Sequence, residues 1–216
     1  MPKHDPTEKT KTEMLEAGVR LFRESGWGSV RIEDVVKKLG VTRGAFYHYF
    51  KNREDFVYAT LMQLLIENNP YVEAMKLEGL TALEKIRYAY KKGVQTPFDA
   101  MLTNDDLLKN IKDSVAFKCY VLFSMEVVST YFEELIIEGN KDGSISAKYP
   151  KHTAHAALLL YNEWLIINII KMTPEEFSER VAFLQFFGEQ MGVPVIDDEL
   201  KELLVQNYEA HRGNEL

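Results

Sequence analysis

The chain has 216 residues, enough for one large domain or two small ones with a sizeable core. Apolar residues make up 46% and charged residues 27%, the profile of an ordinary soluble globular protein. Lys and Arg number 26 against 33 Asp and Glu, a net charge of −7; taken alone, that argues against a nucleic-acid binder, whose domains usually carry a basic footprint.

Cys119 is the single cysteine, so the sequence offers no intramolecular disulfide and no cysteine-based zinc site. A reduced, cytoplasmic setting is expected. The polar stretch Met1 to Met14 lacks the apolar run of a signal peptide. The most apolar run, Ala156 to Ile170, spans fifteen residues and contains Asn162, Glu163 and Asn168. A bilayer needs about 20 mostly apolar residues, so this run predicts a buried core or interface helix and no membrane span.

Apolar residues recur at spacings of three and four, and no useful stretch alternates. The pattern predicts an all-α protein of nine or ten helices. The first starts near Lys9, carries Met14, Leu15, Gly18, Leu21 and Phe22 on one stripe, and stops at Ser25-Gly26. A short second helix runs from about Ile32 to Leu39, with Ile32, Val35, Val36 and Leu39 inward. A third spans about Arg43 to Phe50, and a fourth runs from near Asn52 to Asn69. Beyond Pro70, helices are expected at roughly 81–95, 104–110, 113–139, 151–171, 175–191 and 197–211. Pro174 falls in a first turn, where proline is tolerated.

The most specific local signal lies between residues 31 and 50. Gly40 suits the left-handed position after a helix, and Thr42 is a good N-cap. With Thr42 as N-cap, Val41 and Phe46 form a hydrophobic staple that fixes the entry into the third helix. Leu39-Gly40-Val41-Thr42 is then the tight turn of a helix-turn-helix. Phe46, Tyr49 and Phe50 point into the small core. The opposite face offers Arg43, Gly44, Ala45, Tyr47 and His48. Gly44 and Ala45 are small enough for close approach to a groove. Arg43 can reach guanine O6 and N7 with two hydrogen bonds, and Tyr47 and His48 can donate to phosphates. Lys51 and Arg53 lie at the start of the fourth helix, whose positive end also favours a phosphate. A glycine turn between short helices is common in helical proteins. The combination with the staple, the small-residue face and two following cations is what points to DNA.

The runs Met14–Phe22, Gly26-Trp27, Ile32–Val36 and, above all, Gly40–Asp55 resemble the N-terminal domain of the TetR family of bacterial transcriptional regulators. The resemblance covers roughly residues 10 to 60. It implies a three-helix helix-turn-helix DNA-binding domain, placed here at 1–55, and a larger helical domain for effector binding and dimerisation at 56–216. It implies that Thr42, Arg43, Ala45, Tyr47 and His48 meet double-stranded operator DNA, and that Lys51 and Arg53 meet phosphates. Gly18 departs from the usual alanine and costs roughly 1 kcal/mol in mid-helix, a sacrifice expected to serve close packing. Arg31 stands near the second N-cap in place of a small hydroxyl residue, which weakens a cap and brings a cation within reach of a phosphate.

Proteins of this kind read two half-sites as dimers. Leu158, Tyr161 and Leu165 on one apolar segment, and Phe183, Phe186 and Phe187 on another, are the candidate homodimer interface. The family also implies an effector pocket among the middle helices. The helix at 113–139 presents Phe117, Tyr120, Val121, Ser124, Val128 and Tyr131, and neighbouring helices add Met62, Tyr88, Phe98 and Asn162. Such a lining suits a small apolar or aromatic ligand. No cofactor is expected.

Two alternatives stand beside the ligand-responsive repressor. One is a helix-turn-helix regulator with no small-molecule ligand. The other is a helical metal enzyme using His152 and His155, which lacks a Glu-x-x-His motif and a nearby carboxylate. The charge objection also softens on division. Residues 1–55 hold 11 Lys and Arg against 9 Asp and Glu, a net of +2, whereas residues 56–216 hold 15 against 24, a net of −9. Five of the acids of the first part, Glu13, Glu16, Glu24, Glu33 and Asp34, are expected off the contact surface.

Overall fold

The computed structural model describes residues 6–26, 29–95, 114–166 and 172–212. Among the described residues every regular element is a helix, and they divide into two compact units. No described helix is long and apolar enough to cross a membrane.

The first unit contains α1 (Pro6–Ser25), α2 (Ile32–Leu39), α3 (Arg43–Tyr49), α4 (Arg53–Glu67) and α7 (Ser114–Leu122). α4 belongs to it entire, although the division expected at residue 55 would cut this helix near its start. Its core gathers Met14, Phe22, Val35, Phe46, Phe50, Phe56, Leu61 and Leu64. Four of these are phenylalanines in mutual contact. The rings of Phe46, Phe50 and Phe56 lie 5.2–5.3 Å apart, and Phe22 meets Phe56 edge-on at 6.3 Å. Such pairs add about 0.5–1.5 kcal/mol each beyond their buried area. Gly18 explains itself here. A Cβ at this position would sit 2.6 Å from Phe56 Cζ and 2.8 Å from Thr60 Oγ1, so α1 and α4 approach closely only because it has none. Cys119 on α7 is buried in the same core, and burial pushes its thiol up to about 12, which keeps it an inert hydrophobe.

The second unit contains α5 (Pro70–Ala74), α6 (Ala82–Gln95), α8 (Ser129–Asp142), α9 (Pro150–Leu158), α10 (Pro174–Gln190) and α11 (Asp198–Arg212). Caps explain most boundaries. Asn69 accepts from the Tyr71 N–H at 3.1 Å, so Pro70 opens a short extra helix that the sequence pattern missed. Thr173 and Glu176 form a reciprocal capping box with Pro174 at the first turn. α6 is capped from a distance: Asp142 Oδ2 accepts from the Ala82 N–H at 2.8 Å.

Two expected long helices are interrupted. Residues Phe123–Val128 and Leu159–Ile166 wind as π-helix, one between α7 and α8, the other after α9. The expected helix at 104–110, the far end of the one at 151–171, Trp27 and Phe98 lie outside the described residues, as does the Phe117 side chain.

Candidate nucleic-acid interface

The turn between α2 and α3 forms as its sequence demands. Gly40 takes φ +66°, and its N–H donates to Lys37 O at 3.3 Å while the Val41 N–H donates to Val36 O at 3.1 Å. This is a Schellman ending, and it consumes two carbonyls that the last turn of α2 would otherwise leave unpaired. Val41 then packs against the core that Phe46 anchors. Thr42 Oγ1 accepts from the Ala45 N–H at 3.1 Å and starts α3. Phe46 and Phe50 are buried and Tyr49 is half-buried, which turns the opposite face of α3 outward.

That outward face carries Thr42, Arg43, Gly44, Tyr47 and His48, all exposed, with Ala45 half-buried at its edge. Tyr47 is 52% exposed and leans edge-on against the Phe46 ring at 5.6 Å, which limits its freedom without covering its hydroxyl. A Cβ at Gly44 would meet only Thr42 Oγ1, at 3.7 Å, so a groove wall can approach the backbone there.

The flanking charges differ from expectation in several ways. Glu33 does not sit off this surface. It projects from the first turn of α2 and forms an ion pair with Arg43, accepting from Nη2. Arg31 is exposed, but a guanidinium has no acceptor to give a helix N-terminus. The cap of α2 is closed from the other side, where Asp34 Oδ2 accepts from the Arg31 N–H at 3.0 Å. Arg53 is half-buried, and its Nε donates to Val30 O at 2.7 Å, fastening α4 to the segment before α2. At the start of α4, Asn52 Oδ1 accepts from the Asp55 N–H at 2.8 Å, and Asp55 Oδ2 accepts from the Lys51 N–H at 3.0 Å. That helix end is therefore served by its own acid, leaving the exposed Lys51 side chain as its main offer to a phosphate.

In the second unit the apolar candidates separate. Leu158, Tyr161 and Leu165 are each only 1% exposed within the single chain, so they are core and leave nothing for a partner. The outward residues are Phe183 (49%) and Phe186 (57%), with Phe187 half-buried. Leu159 and Trp164, which the sequence reading passed over, are exposed as well. Trp164 meets Phe183 edge-on at 5.7 Å, and the Arg180 guanidinium lies 4.3 Å from the Trp164 ring centroid.

The effector candidates also divide. Ser124 and Val128 are buried, whereas Met62, Tyr120, Val121, Tyr131 and Asn162 are half-buried. Asn162 Nδ2 donates to Ser124 Oγ at 3.2 Å, joining the two π-helical stretches. Tyr88 belongs elsewhere: its hydroxyl donates to Glu73, which also pairs with Lys92 in a solvent-facing cluster. Lys92 first, then Tyr88, holds the Glu73 carboxyl below its usual range. His152 is exposed and His155 half-buried, and no group of three metal-ligating side chains occurs among the described residues.

A helix-turn-helix with an exposed polar recognition face, ahead of a second all-helical unit, defines a DNA-reading regulator class. The sequence pattern of the family described as "Bacterial regulatory proteins, tetR family" matches residues 14–60. The chain is 40% identical over 68 residues to the transposon Tn10 TetC protein of Escherichia coli, covering 31% of this chain and 34% of that one. It is 26% identical over 172 residues to the HTH-type transcriptional regulator YhgD of Bacillus subtilis, covering 79% and 90%. The matches span about a third or less of the length of the first curated relatives. The crystal structure of RolR in complex with resorcinol shares the fold, with a TM-score of 0.63 over 92% of this chain and 94% of that one at 15% identity. Residues 14–60 thus carry the DNA-binding pattern of the TetR family, and the chain as a whole shares the fold seen in RolR.

Proposed function

We propose that the protein is a ligand-responsive transcriptional regulator that binds operator DNA as a homodimer and leaves it when a small effector binds the second unit. The observation that carries this reading is the outward face of α3. Thr42, Arg43, Gly44, Tyr47 and His48 are presented together on a helix whose angle is fixed by the Gly40 turn and the Phe46 anchor. A helix set this way fits the major groove, where Arg43 addresses guanine and Tyr47 and His48 address the backbone. Lys51 and Arg31 supply flanking cations. Thr42 and Ala45 shape the approach, and Arg53 holds the frame as well as a charge.

The homodimer reading rests on the exposed apolar side chains of Phe183, Phe186, Trp164 and Leu159, of which Trp164 and Phe183 are in contact. The effector reading rests on the bonded Ser124–Asn162 pair between two π-helical stretches, since π-turns gather at functional positions. RolR, which shares the fold, is known bound to resorcinol, and a small apolar or aromatic effector suits the mostly apolar candidates named from the sequence. The coupling is reciprocal: an effector that prefers a dimer with the wrong half-site spacing is itself bound less tightly when operator is present.

The test is a mobility-shift assay of the full-length protein on genomic fragments. The wild type retards a subset of fragments. Arg43→Ala with Tyr47→Ala weakens binding by at least about a thousandfold, since two contacts of about 1–3 kcal/mol each in two half-sites sum to at least about 4 kcal/mol. Unchanged binding by the double variant removes this face from the site.

A further inference from the structure

We propose that Glu33 is a selectivity residue, holding Arg43 so that it answers to a base edge rather than to any phosphate. This rests on the DNA-binding reading above. Glu33 stands in the first turn of α2 and Arg43 at the first position of α3, and their ion pair bridges the turn on the face that carries Thr42, Gly44 and Tyr47. The side chains are 54% and 65% exposed, so the pair contributes little to folding. Its consequence falls on whatever approaches that face.

A phosphate contact asks an arginine for charge and little else. A guanine contact asks for two N–H groups in one plane, pointed at O6 and N7. The guanidinium has five donors, and the bond from Nη2 to Glu33 fixes its plane while leaving other donors of the fork. The carboxylate therefore discounts Arg43 as a positive charge while keeping it as an oriented fork. That discount weakens binding to random DNA more than binding to a matched site, and it suits a recognition region whose net charge is only +2 over residues 1–55.

The test begins by selecting an operator for the full-length protein from a randomised duplex library. Affinity is then measured by fluorescence anisotropy on that operator and on a scrambled duplex, across a salt series. The proteins compared are the wild type, Glu33→Gln, Arg43→Ala and the double variant. Glu33→Gln keeps the shape and removes the charge at an exposed position. Glu33→Asp, which keeps the charge but shortens the reach, is the second variant. Both are expected to bind scrambled duplex more tightly, with the operator-to-scrambled ratio falling about tenfold. The salt slope on scrambled duplex steepens by about 0.9 per subunit for Glu33→Gln, as Arg43 gains a phosphate. In the Arg43→Ala background, Glu33→Gln changes neither ratio nor slope. The proposal is overturned if the wild type selects an operator and Glu33→Gln leaves ratio and slope unchanged. It is equally overturned if the changes persist without Arg43. A wild type that selects no duplex at all overturns the DNA-binding reading, and this proposal with it.

Discussion

At Gly18 the chain gives up helix propensity in exchange for closeness. Alanine there gains up to about 1 kcal/mol in an unencumbered helix. Here its methyl would enter the space of Phe56 Cζ and Thr60 Oγ1, and Thr60 is tied to Phe56 O at 2.8 Å and cannot swing aside freely. Overpacking of this kind costs about 1–3 kcal/mol, so Gly18→Ala is expected to destabilise the protein by about 1 kcal/mol net. Urea unfolding followed by circular dichroism checks it: the midpoint falls with the slope unchanged. A rise in midpoint means α1 and α4 can part at no cost. The sequence marks Gly18 as a departure but does not name its neighbours, because Phe56 and Thr60 lie about forty residues further on. The partners of Glu33 and Arg53 are hidden from the sequence for the same reason. A charged residue reads as solvated or DNA-facing until a partner distant in sequence, Arg43 or the Val30 carbonyl, is brought to it.

Helices begin and end where a few residues leave no choice. Gly40 is the most consequential. It holds φ +66° on the turn that sets the angle of α3, a conformation costing an alanine roughly 1–2 kcal/mol. Gly40→Ala should lower stability by about 1 kcal/mol, and it should weaken operator binding beyond the loss of folded protein, because relaxing the turn rotates the recognition face. Gly40→Asn should recover most of both, since asparagine tolerates the left-handed region. Denaturation and anisotropy on the same samples separate the two effects. Such punctuation was readable: Thr42, Gly40 and Pro174 stand where the pattern put them. The π-helical stretches were not. A wider winding has no local residue signature, and the segments Phe123–Val128 and Leu159–Ile166 read as ordinary, mostly apolar helix. Short α5 was hidden by reading Pro70 as a stop, whereas Asn69 makes it a start.

Charge and apolar surface are divided between the two parts of the chain, and that division governs the whole molecule. Burial could not be read from composition: Leu158, Tyr161 and Leu165 look as apolar as Phe183 and Phe186, and only packing shows which set is spent on the core. The exposed set predicts the oligomer. Phe183→Glu with Phe186→Glu places two carboxylates per subunit on a surface that would otherwise be covered, and opposed like charges in a buried interface are strongly unfavourable. Analytical ultracentrifugation should show the wild type as a dimer and the double variant as a folded monomer of 25.0 kDa. With Arg43 paired to Glu33 and Arg53 bonded to Val30, Arg31 and Lys51 are the two cations of the candidate interface left to face phosphates. A dimer neutralising about four phosphates has a salt slope near −3.6, and a monomer about half that. Operator affinity and salt slope should therefore fall together in the double variant. A variant that stays dimeric moves the interface off this face. A monomer that keeps the wild-type slope shows that one subunit supplies all the phosphate contacts, which two exposed cations cannot do.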